Sequence, residues 1–286
     1  MVANTLMIQG TASSVGKSIL VAALCRIFRQ DGFRVAPFKS QNMTRNSFVN
    51  EAGEEMGWMQ AVHAEAAGIE PSVDMNPILL RPVADSKSQV VVLGKPTVIL
   101  AADAYCRYTS ELLPVVADAL TRLRSAYDMV IIEGAGSPVE VNIKDYEIAN
   151  MRVAKLAGAP VLLVGDIDKG GVFASLVGTL ALLDESERES IKGFIINKFR
   201  GDISLLQPGL DYLEEYSSKP VIGVIPYYRD IFIPEEDSAS GENRAGVENG
   251  LLDNTESGRQ QQYDKLADIV RHSLNLKLVY QICGLE

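Results

Sequence analysis

The stretch GTASSVGKS, residues 10–18, has the glycines, lysine and serine of a phosphate-binding loop. The usual pattern is glycine, four residues, then Gly-Lys-Ser/Thr. Counted back from the final Gly-Lys-Ser, the first-glycine position falls on Thr11, and Gly10 stands one residue early. A short apolar run at residues 5–9 precedes the loop, and apolar residues at helical spacing follow it as far as Gly32. The sequence therefore predicts a strand, a loop and a helix in that order.

This loop predicts a nucleotide site with a magnesium ion. Backbone N–H groups at a helix N-terminus bind anions. Lys17 would reach the β- and γ-phosphates of ATP, and the Ser18 hydroxyl would ligate Mg²⁺. The alternative, a glycine turn that carries a lysine by chance, leaves the strand and helix on either side unexplained. The loop residues expected to contact the nucleotide are Gly10, Thr11, Ser13, Val15, Gly16, Lys17 and Ser18.

Composition excludes several classes of protein. The 286 residues are 47% hydrophobic, enough for a large core, and the net charge of −10 disfavours a nucleic-acid partner. No apolar run approaches the ~18 residues of a membrane span, and no signal peptide is evident. Three widely separated cysteines are expected to be reduced thiols of a cytoplasmic protein. With only two histidines, His63 and His272, a zinc site or a Ser-His-Asp centre is poorly supported.

Short β-branched runs alternate with helical stretches along the chain. The further predicted strands are residues 34–39, 129–134, 160–167, 193–198 and 220–226. The predicted helices are residues 54–67, 110–126, 146–157, 172–184 and 204–217. Such alternation predicts an α/β fold, a P-loop NTPase with a mostly parallel sheet and helices on both faces.

Polar residues stand where the predicted strands end, and ligands bind at the carboxyl ends of parallel strands. A carboxylate beside the phosphate loop, such as Glu133, is placed to hold Mg²⁺. A second lysine there, Lys39, can neutralise a transferring phosphoryl group. Ordinary turn chemistry remains the alternative for each residue taken alone. The other polar residues at strand ends are Asp166, Asp168, Asn197, Lys198 and Asp202.

Several long strings carry a resemblance to a known family. They are GTASSVGKS, PFKSQNMTRNSFV, MNPILLRP, IIEGAGSPVEVN, GDIDKGGVFASLVGT and INKFRGD. From about residue 5 to about residue 240 the chain resembles cobyric acid synthase, whose wider group includes dethiobiotin synthetase and shares the shifted GT-x-x-x-x-GK-[S/T] loop. The related MinD/ParA partition ATPases place an extra lysine where this chain has Ala12, which disfavours them.

The resemblance implies an ATP-dependent amide ligase of cobalamin biosynthesis. Such an enzyme amidates the b, d, e and g carboxylates of adenosylcobyrinic acid a,c-diamide, a corrinoid, through acyl phosphates that ammonia displaces. Two alternatives stay open. One is a regulatory or inactive P-loop protein that binds a corrinoid, and the other is a dethiobiotin synthetase-like carboxylase of a small diamine. The strings SQNMTRNSF and MNPILLRP disfavour the latter.

The resemblance also implies roles for individual residues. Lys17 and Lys39 would act on the transferring phosphoryl group, and Asp168 with Lys169 would form the substrate carboxylate site. The implied Mg²⁺ ligands are Ser18, Glu55 and Glu133. Asn197 would bind adenine. Corrinoid contacts are implied for Gln41, Asn42, Asn46 and Ser47. His63 is interpreted as a helix-face residue and not as a ligand.

The resemblance changes after about residue 240. The predicted organisation is an ATP-binding domain at residues 1–236, a linker at 237–262 and an amphipathic helix at 263–286. The last segment resembles the extreme C-terminus of long cobyric acid synthases, with Asn249 where the family has a glutaminase histidine. The cysteine-bearing turn of a glutaminase is not found, so ammonia is expected from solution or from a separate glutaminase subunit. Oligomeric state, a homo-oligomer included, is left open.

Overall fold

The computed structural model describes residues 2–228 and 255–285. Its strands are β1 (Asn4–Gly10), β2 (Val35–Phe38), β3 (Gln41–Met43), β4 (Ser47–Val49), β5 (Glu55–Gly57), β6 (Ile78–Ala84), β7 (Lys87–Val92), β8 (Lys95–Ala101), β9 (Met129–Glu133), β10 (Val161–Asp166), β11 (Ile191–Phe199) and β12 (Val221–Pro226). Its helices are α1 (Lys17–Gln30), α2 (Trp58–Ala67), α3 (Ala102–Ala126), α4 (Met151–Ala157), α5 (Val172–Leu182), α6 (Glu185–Ser190), α7 (Ile203–Ser217), α8 (Glu256–Ser273) and α9 (Leu276–Ile282).

A six-stranded parallel sheet forms the centre of the fold, in the order β12-β11-β10-β1-β9-β2. All six strands coincide with predicted ones to within two residues. Both faces of the sheet are covered, which is why these strands are almost continuously apolar. The predicted α/β class with a mostly parallel sheet is confirmed.

The side chains of β1 show how the two faces divide the core. Met7 packs on one face with residues of α3, α4, α5 and α7. Leu6 and Ile8 point to the other face, where they pack with α1, α2 and α8. This alternation follows from the two-residue period of a strand. The P-loop helix α1 therefore lies between the sheet and the C-terminal helix α8.

A second, four-stranded sheet in the order β3-β6-β7-β8 and the pair β4-β5 were absent from the predicted elements. Three predicted helices are corrected accordingly. The helix predicted at 54–67 begins at Trp58, because β5 takes the residues before it. The one predicted at 110–126 begins already at Ala102, and the one at 146–157 begins only at Met151.

The C-terminal segment is two helices and not the single predicted helix. Asn275 separates them, and its side chain accepts from Leu278 N to cap α9. Helix α8 already begins at Glu256, within the predicted linker 237–262, while residues 237–254, including Asn249, lie outside the described residues.

Helix α8 is held to α1 by apolar packing and by ion pairs. Tyr263, Leu266, Ala267 and Val270 are buried in the core beside α1. Arg26 Nε lies 2.7 Å from Asp264 Oδ1, and Arg271 Nη2 lies 2.9 Å from Asp31 Oδ1. The apolar contacts carry most of the docking energy, since partly exposed ion pairs contribute only about 0–1 kcal/mol each.

Leu266→Ala tests this docking. Leu266 is 0% exposed, so we expect the substitution to lower the free energy of unfolding by about 2–5 kcal/mol through a cavity. The matched control is Leu205→Ala on α7, where the side chain is 82% exposed and the expected change is within about 0.5 kcal/mol. Urea unfolding followed by circular dichroism measures both, and equal midpoints for the two variants would contradict the docking.

Candidate active site

Two glycines shape the phosphate loop because neighbouring atoms leave no space for a side chain. Gly16, which precedes α1, has a φ of +98°, and a Cβ there would lie 2.1 Å from Asn197 Nδ2. A Cβ on Gly10, at the end of β1, would lie 2.5 Å from Val15 Cγ2. The one-residue shift of the first glycine therefore preserves a tight turn between strand and helix.

Lys17, at the start of α1, reaches across this loop. Its Nζ donates to the carbonyl oxygens of Ala12 at 3.0 Å and Gly136 at 3.2 Å. Gly136 belongs to the segment that follows β9. The ammonium thus lies between the loop and the neighbouring strand end, where phosphate oxygens would offer it stronger, charged acceptors.

Glu133, at the end of β9, is the centre of a buried polar cluster. Its Oε1 accepts from Ser18 Oγ at 2.7 Å and from Lys39 Nζ at 3.2 Å. Burial alone would raise the pKa of Glu133, but the Lys39 ammonium and the other donors around it outweigh burial and hold that pKa below its ordinary value. Glu133 is therefore ionised at neutral pH.

Ser18 and Glu133 fit an Mg²⁺ ion, which prefers oxygen ligands and keeps several waters. The second oxygen of Glu133, Oε2, has no hydrogen-bond partner among the described residues. Within residues 2–228 and 255–285, no group of three or more His, Cys, Asp or Glu side chains could hold a metal alone. Phosphate oxygens and water would therefore complete the coordination.

The third predicted Mg²⁺ ligand, Glu55, is engaged elsewhere. Its carboxylate accepts from Arg81 Nη1 at 3.1 and 3.3 Å. It lines neither of the two cavities described below. The structure does not bring Glu55 to the Ser18–Glu133 pair, and its role as a ligand stays a prediction.

His63 joins this cluster, although the sequence interpretation placed it on a helix face without a site role. Its ring is 0% exposed on α2. Nε2 lies 2.9 Å from the Ser18 carbonyl oxygen, and Nδ1 lies 3.8 Å from Glu133 Oε2. Burial lowers the pKa of His63, an effect that the nearby Glu133 only partly opposes. The helix is apolar around most of its circumference, so no local pattern marks this histidine as part of a site.

Two residues at the end of β11 donate hydrogen bonds to the phosphate loop. Asn197 Nδ2 donates to the Val15 carbonyl at 2.8 Å, and Lys198 Nζ donates to the Ser14 carbonyl at 2.6 Å. The Asn197 Oδ1 has no hydrogen-bond partner among the described residues. Adenine binding by Asn197 stays a prediction; in this arrangement only that oxygen remains for an adenine amino group.

Two cavities adjoin at this edge of the sheet. The smaller, about 250 Å³, is lined by the phosphate loop together with Lys39, Asn42 and Glu133. The larger, about 430 Å³, lies between the second sheet, α3 and the segment 135–150. Met43 and Ala135 line both cavities.

The residues predicted to contact a corrinoid divide between these cavities and the surface. Gln41 lines the larger cavity, where its Oε1 accepts from Tyr105 Oη at 2.6 Å. Asn42 lines the smaller one and donates to Gln60 Oε1 at 3.0 Å. Asn46 and Ser47 line neither.

Asp168 and Lys169 lie outside both cavities and are exposed. Asp168 Oδ1 pairs with Arg200 Nε at 2.8 Å, and that guanidinium stacks over the ring of Tyr227. Their predicted role in the substrate carboxylate site remains untested, and the structure does not bring them to Lys17 and Lys39.

Asn150 was missed by sequence reasoning and organises the wall between the cavities. Its Nδ2 donates to the carbonyls of Ala135 at 2.6 Å and Ser137 at 3.2 Å, while its Oδ1 accepts from Ala135 N at 3.1 Å. The segment after β9 is therefore fixed where it meets both cavities. Nothing in the local sequence signals a contact made across fifteen residues.

Residues 6–239 match the family described as the CobQ/CobB/MinD/ParA nucleotide binding domain. The chain belongs to this family. The match covers the phosphate loop and the whole parallel sheet except the first two residues of β1, and it confirms the P-loop fold predicted from the sequence.

Cobyric acid synthases are among the proteins whose sequences are similar to this chain. The chain is 61% identical over 236 residues to the cobyric acid synthase of Dehalococcoides mccartyi (strain ATCC BAA-2266 / KCTC 15142 / 195), covering 82% of this chain and 47% of that protein. It is 60% identical over 244 residues to that of Sorangium cellulosum (strain So ce56), covering 85% and 47%. The predicted resemblance is confirmed, and the chain spans about half the length of these relatives.

Some solved structures align with the chain at low sequence identity. Signal recognition particle receptor FtsY from Elizabethkingia anophelis aligns at 14% identity and a TM-score of 0.47, over 91% of this chain and 65% of that one. The MinD cell division protein of Aquifex aeolicus aligns at 12% identity and a TM-score of 0.42, over 95% of this chain and 98% of that one.

In the described residues no helix is both long and apolar enough to cross a membrane.

Gly16→Ala tests the loop geometry against Gly32→Ala. Both glycines have a positive φ, +98° and +92°, but a Cβ on Gly32 meets nothing within 4 Å. Each alanine costs about 1–2 kcal/mol for the left-handed backbone. Only Gly16→Ala also displaces Asn197, at a further cost of about 1–3 kcal/mol, so we expect MgADP affinity to fall about tenfold or more. Calorimetric titration measures this, and equal affinities in the two variants would refute the geometry.

Proposed function

We propose that this chain catalyses ATP-dependent amidation of corrinoid carboxylates. This is the activity that its resemblance to cobyric acid synthases implies. The observation that carries the proposal is the contact between two cavities of different chemistry. One is lined by the phosphate loop, two lysines and a buried carboxylate, and the other is larger and adjoins it at Met43 and Ala135. A carboxylate that enters the larger cavity can thus approach a γ-phosphate in the smaller one.

The reaction follows from the weakness of a carboxylate as an electrophile. The substrate carboxylate oxygen attacks the γ-phosphorus of ATP, the bond to the bridging oxygen breaks, and ADP leaves. Ammonia then attacks the acyl carbon of the acyl phosphate, phosphate leaves, and a proton is lost to give the amide. A bound Mg²⁺ would supply charge neutralisation for the phosphates, with Ser18 and Glu133 as its protein ligands.

The residues of this chain contribute mainly position and charge. Lys17, already at the loop, would hold the β- and γ-phosphates. Lys39 is 3% exposed and lies against Glu133, so it would meet the transferring phosphoryl group from the side opposite the loop. Its contact with Glu133 orients the ammonium, which therefore has less conformational freedom than the ammonium of a surface lysine.

The larger cavity supports a substrate that is a large ring and not a small diamine. Its volume of about 430 Å³ lies within the usual range for ligand pockets, about 300–1,000 Å³. Most of its lining is apolar, with polar groups such as Gln41, Tyr105 and Lys87 at its wall. We propose that one edge of the corrinoid enters here and presents one side-chain carboxylate, b, d, e or g, at a time.

We propose further that ammonia reaches the site from outside the described residues. Cys25 and Cys283 are buried, and burial raises the pKa of Cys283 to about 12. Neither is a thiolate able to attack glutamine at neutral pH. Cys106 lines the larger cavity, and the hydrogen bonds of the two histidines in the described residues go to Ser18 and Asp268 and not to Cys106.

The test is incubation of the chain with MgATP, adenosylcobyrinic acid a,c-diamide and ammonium chloride, followed by mass spectrometry of the corrinoid. We expect successive replacement of carboxylate OH by NH₂. Glutamine in a parallel reaction is expected to give no product, and Lys17→Ala serves as the inactive control. Nucleotide binding without any mass change would favour the regulatory alternative, and product from glutamine alone would overturn the external source of ammonia.

Lys39→Met is expected to lower the amidation kcat by about 10²–10³-fold, the usual cost of removing one preorganised charge at a transition state. Lys155→Met is the matched control, because Lys155 is exposed on α4, lines neither cavity and has no predicted role in the site. Thermal unfolding of both variants checks that loss of the buried cation has not unfolded the protein. Equal loss of kcat in the two variants would place the phosphoryl-transfer lysine elsewhere.

A further inference from the structure

His63 is a fully buried titratable group that the proposed reaction does not use. A carbonyl oxygen can only accept, so the 2.9 Å contact with the Ser18 carbonyl requires a proton on Nε2. Nδ1 has no hydrogen-bond partner among the described residues.

This contact is made at the residue whose side chain is the proposed Mg²⁺ ligand. The Ser18 carbonyl accepts from His63 while the Ser18 hydroxyl donates to Glu133 at 2.7 Å. The other edge of the same imidazole lies 3.8 Å from the remaining oxygen of Glu133. One rigid ring thus touches both proposed Mg²⁺ ligands, one through its backbone and one through its side chain.

Helix α2 gives the ring its rigidity. The residues beside His63, Val62 and Ala64, are buried, so the helix cannot rotate without breaking the core. Burial on every side leaves the ring no alternative rotamer in solvent.

We propose that His63 is a positioning residue, which sets Ser18 and Glu133 relative to one another for the Mg²⁺–nucleotide complex. It acts through the two ligands and touches neither the metal nor the phosphates. This inference rests on the nucleotide-binding part of the proposed function, and it does not depend on the identity of the amidated substrate.

The measurement is the factor by which Mg²⁺ tightens ADP binding, obtained by calorimetric titration with and without the metal. A ratio of two affinities in the same variant is insensitive to a general loss of folded protein. We expect His63→Leu, which removes the donor but fills the space, to reduce this factor about two- to tenfold, the range for one lost hydrogen bond. We expect His63→Gln, whose amide can donate to the same carbonyl, to retain it.

His272→Gln is the matched control, because His272 is the second of only two histidines and is exposed on α8. The inference is overturned if Mg²⁺ tightens ADP binding by the same factor in His63→Leu as in the unmodified chain, or if His272→Gln reduces that factor equally. In either case the proposed function still stands, provided that the unmodified chain binds the nucleotide. Absence of ADP binding by the unmodified chain overturns both.

A second measurement needs no substitution at His63. In isotope-labelled His272→Gln protein the remaining histidine gives the only imidazole nitrogen signals in NMR. We expect a proton on Nε2, with ring signals that shift when MgADP is added. An Nε2 that carries no proton, or signals that MgADP leaves unmoved, overturns the inference.

Discussion

A buried negative charge, that of Glu133, is the constraint on which this site depends. The carboxylate is 1% exposed at the end of a central strand, and an isolated charge there would cost several kcal/mol. Lys39, Ser18 and, further off, Lys17 compensate it. Lys39 directly follows β2, and Ser18 and Lys17 lie on α1, so the same electrostatic requirement holds two strand ends and the P-loop helix in one place. The charges of Glu133 and Lys39 are thus already buried and oriented before a nucleotide arrives, which is the condition for effective electrostatic catalysis.

The parallel sheet could be predicted from sequence because its strands are buried on both faces and their runs are therefore unbroken. The second sheet could not. Its strand β8 is mostly exposed, and its hairpins depend on tight turns in which Ser86, Leu93 and Gly94 adopt positive φ angles. Serine and leucine at such positions give no turn signal of the kind that Asn-Gly gives. The hydrophobic periodicity of the sequence therefore did not predict the sheet that bounds the larger cavity.

The same distinction applies within the site. Lys17, Ser18, Lys39 and Glu133 stand at predictable places, a motif or a strand end, and the structure brings them together. His63 belongs to the cluster through the packing of α2 against α1, and tertiary packing leaves no mark in the local sequence. Glu55 was predicted from the family pattern, but Arg81 on the adjoining strand engages its carboxylate. A sequence motif indicates the position of a charged residue along the chain, but it does not indicate which residue of opposite charge will pair with it.

Helix α1 connects the nucleotide residues with the C-terminal helices, which are far apart along the chain. Its first turn carries the nucleotide residues, and its later turns carry Arg26 and Phe28, which contact the C-terminal helices. Asp31, just beyond the last turn, accepts from Arg271 and Tyr280. Helix α1 is 14 residues long, so its nucleotide residues and its contacts with the C-terminal helices lie within about 20 Å of one another. Any change in the docking of α8 and α9 that shifted the first turn would change nucleotide affinity, and by reciprocity the nucleotide would change the docking by the same factor. The phosphate loop and the docked C-terminal helices therefore share one structural element, α1.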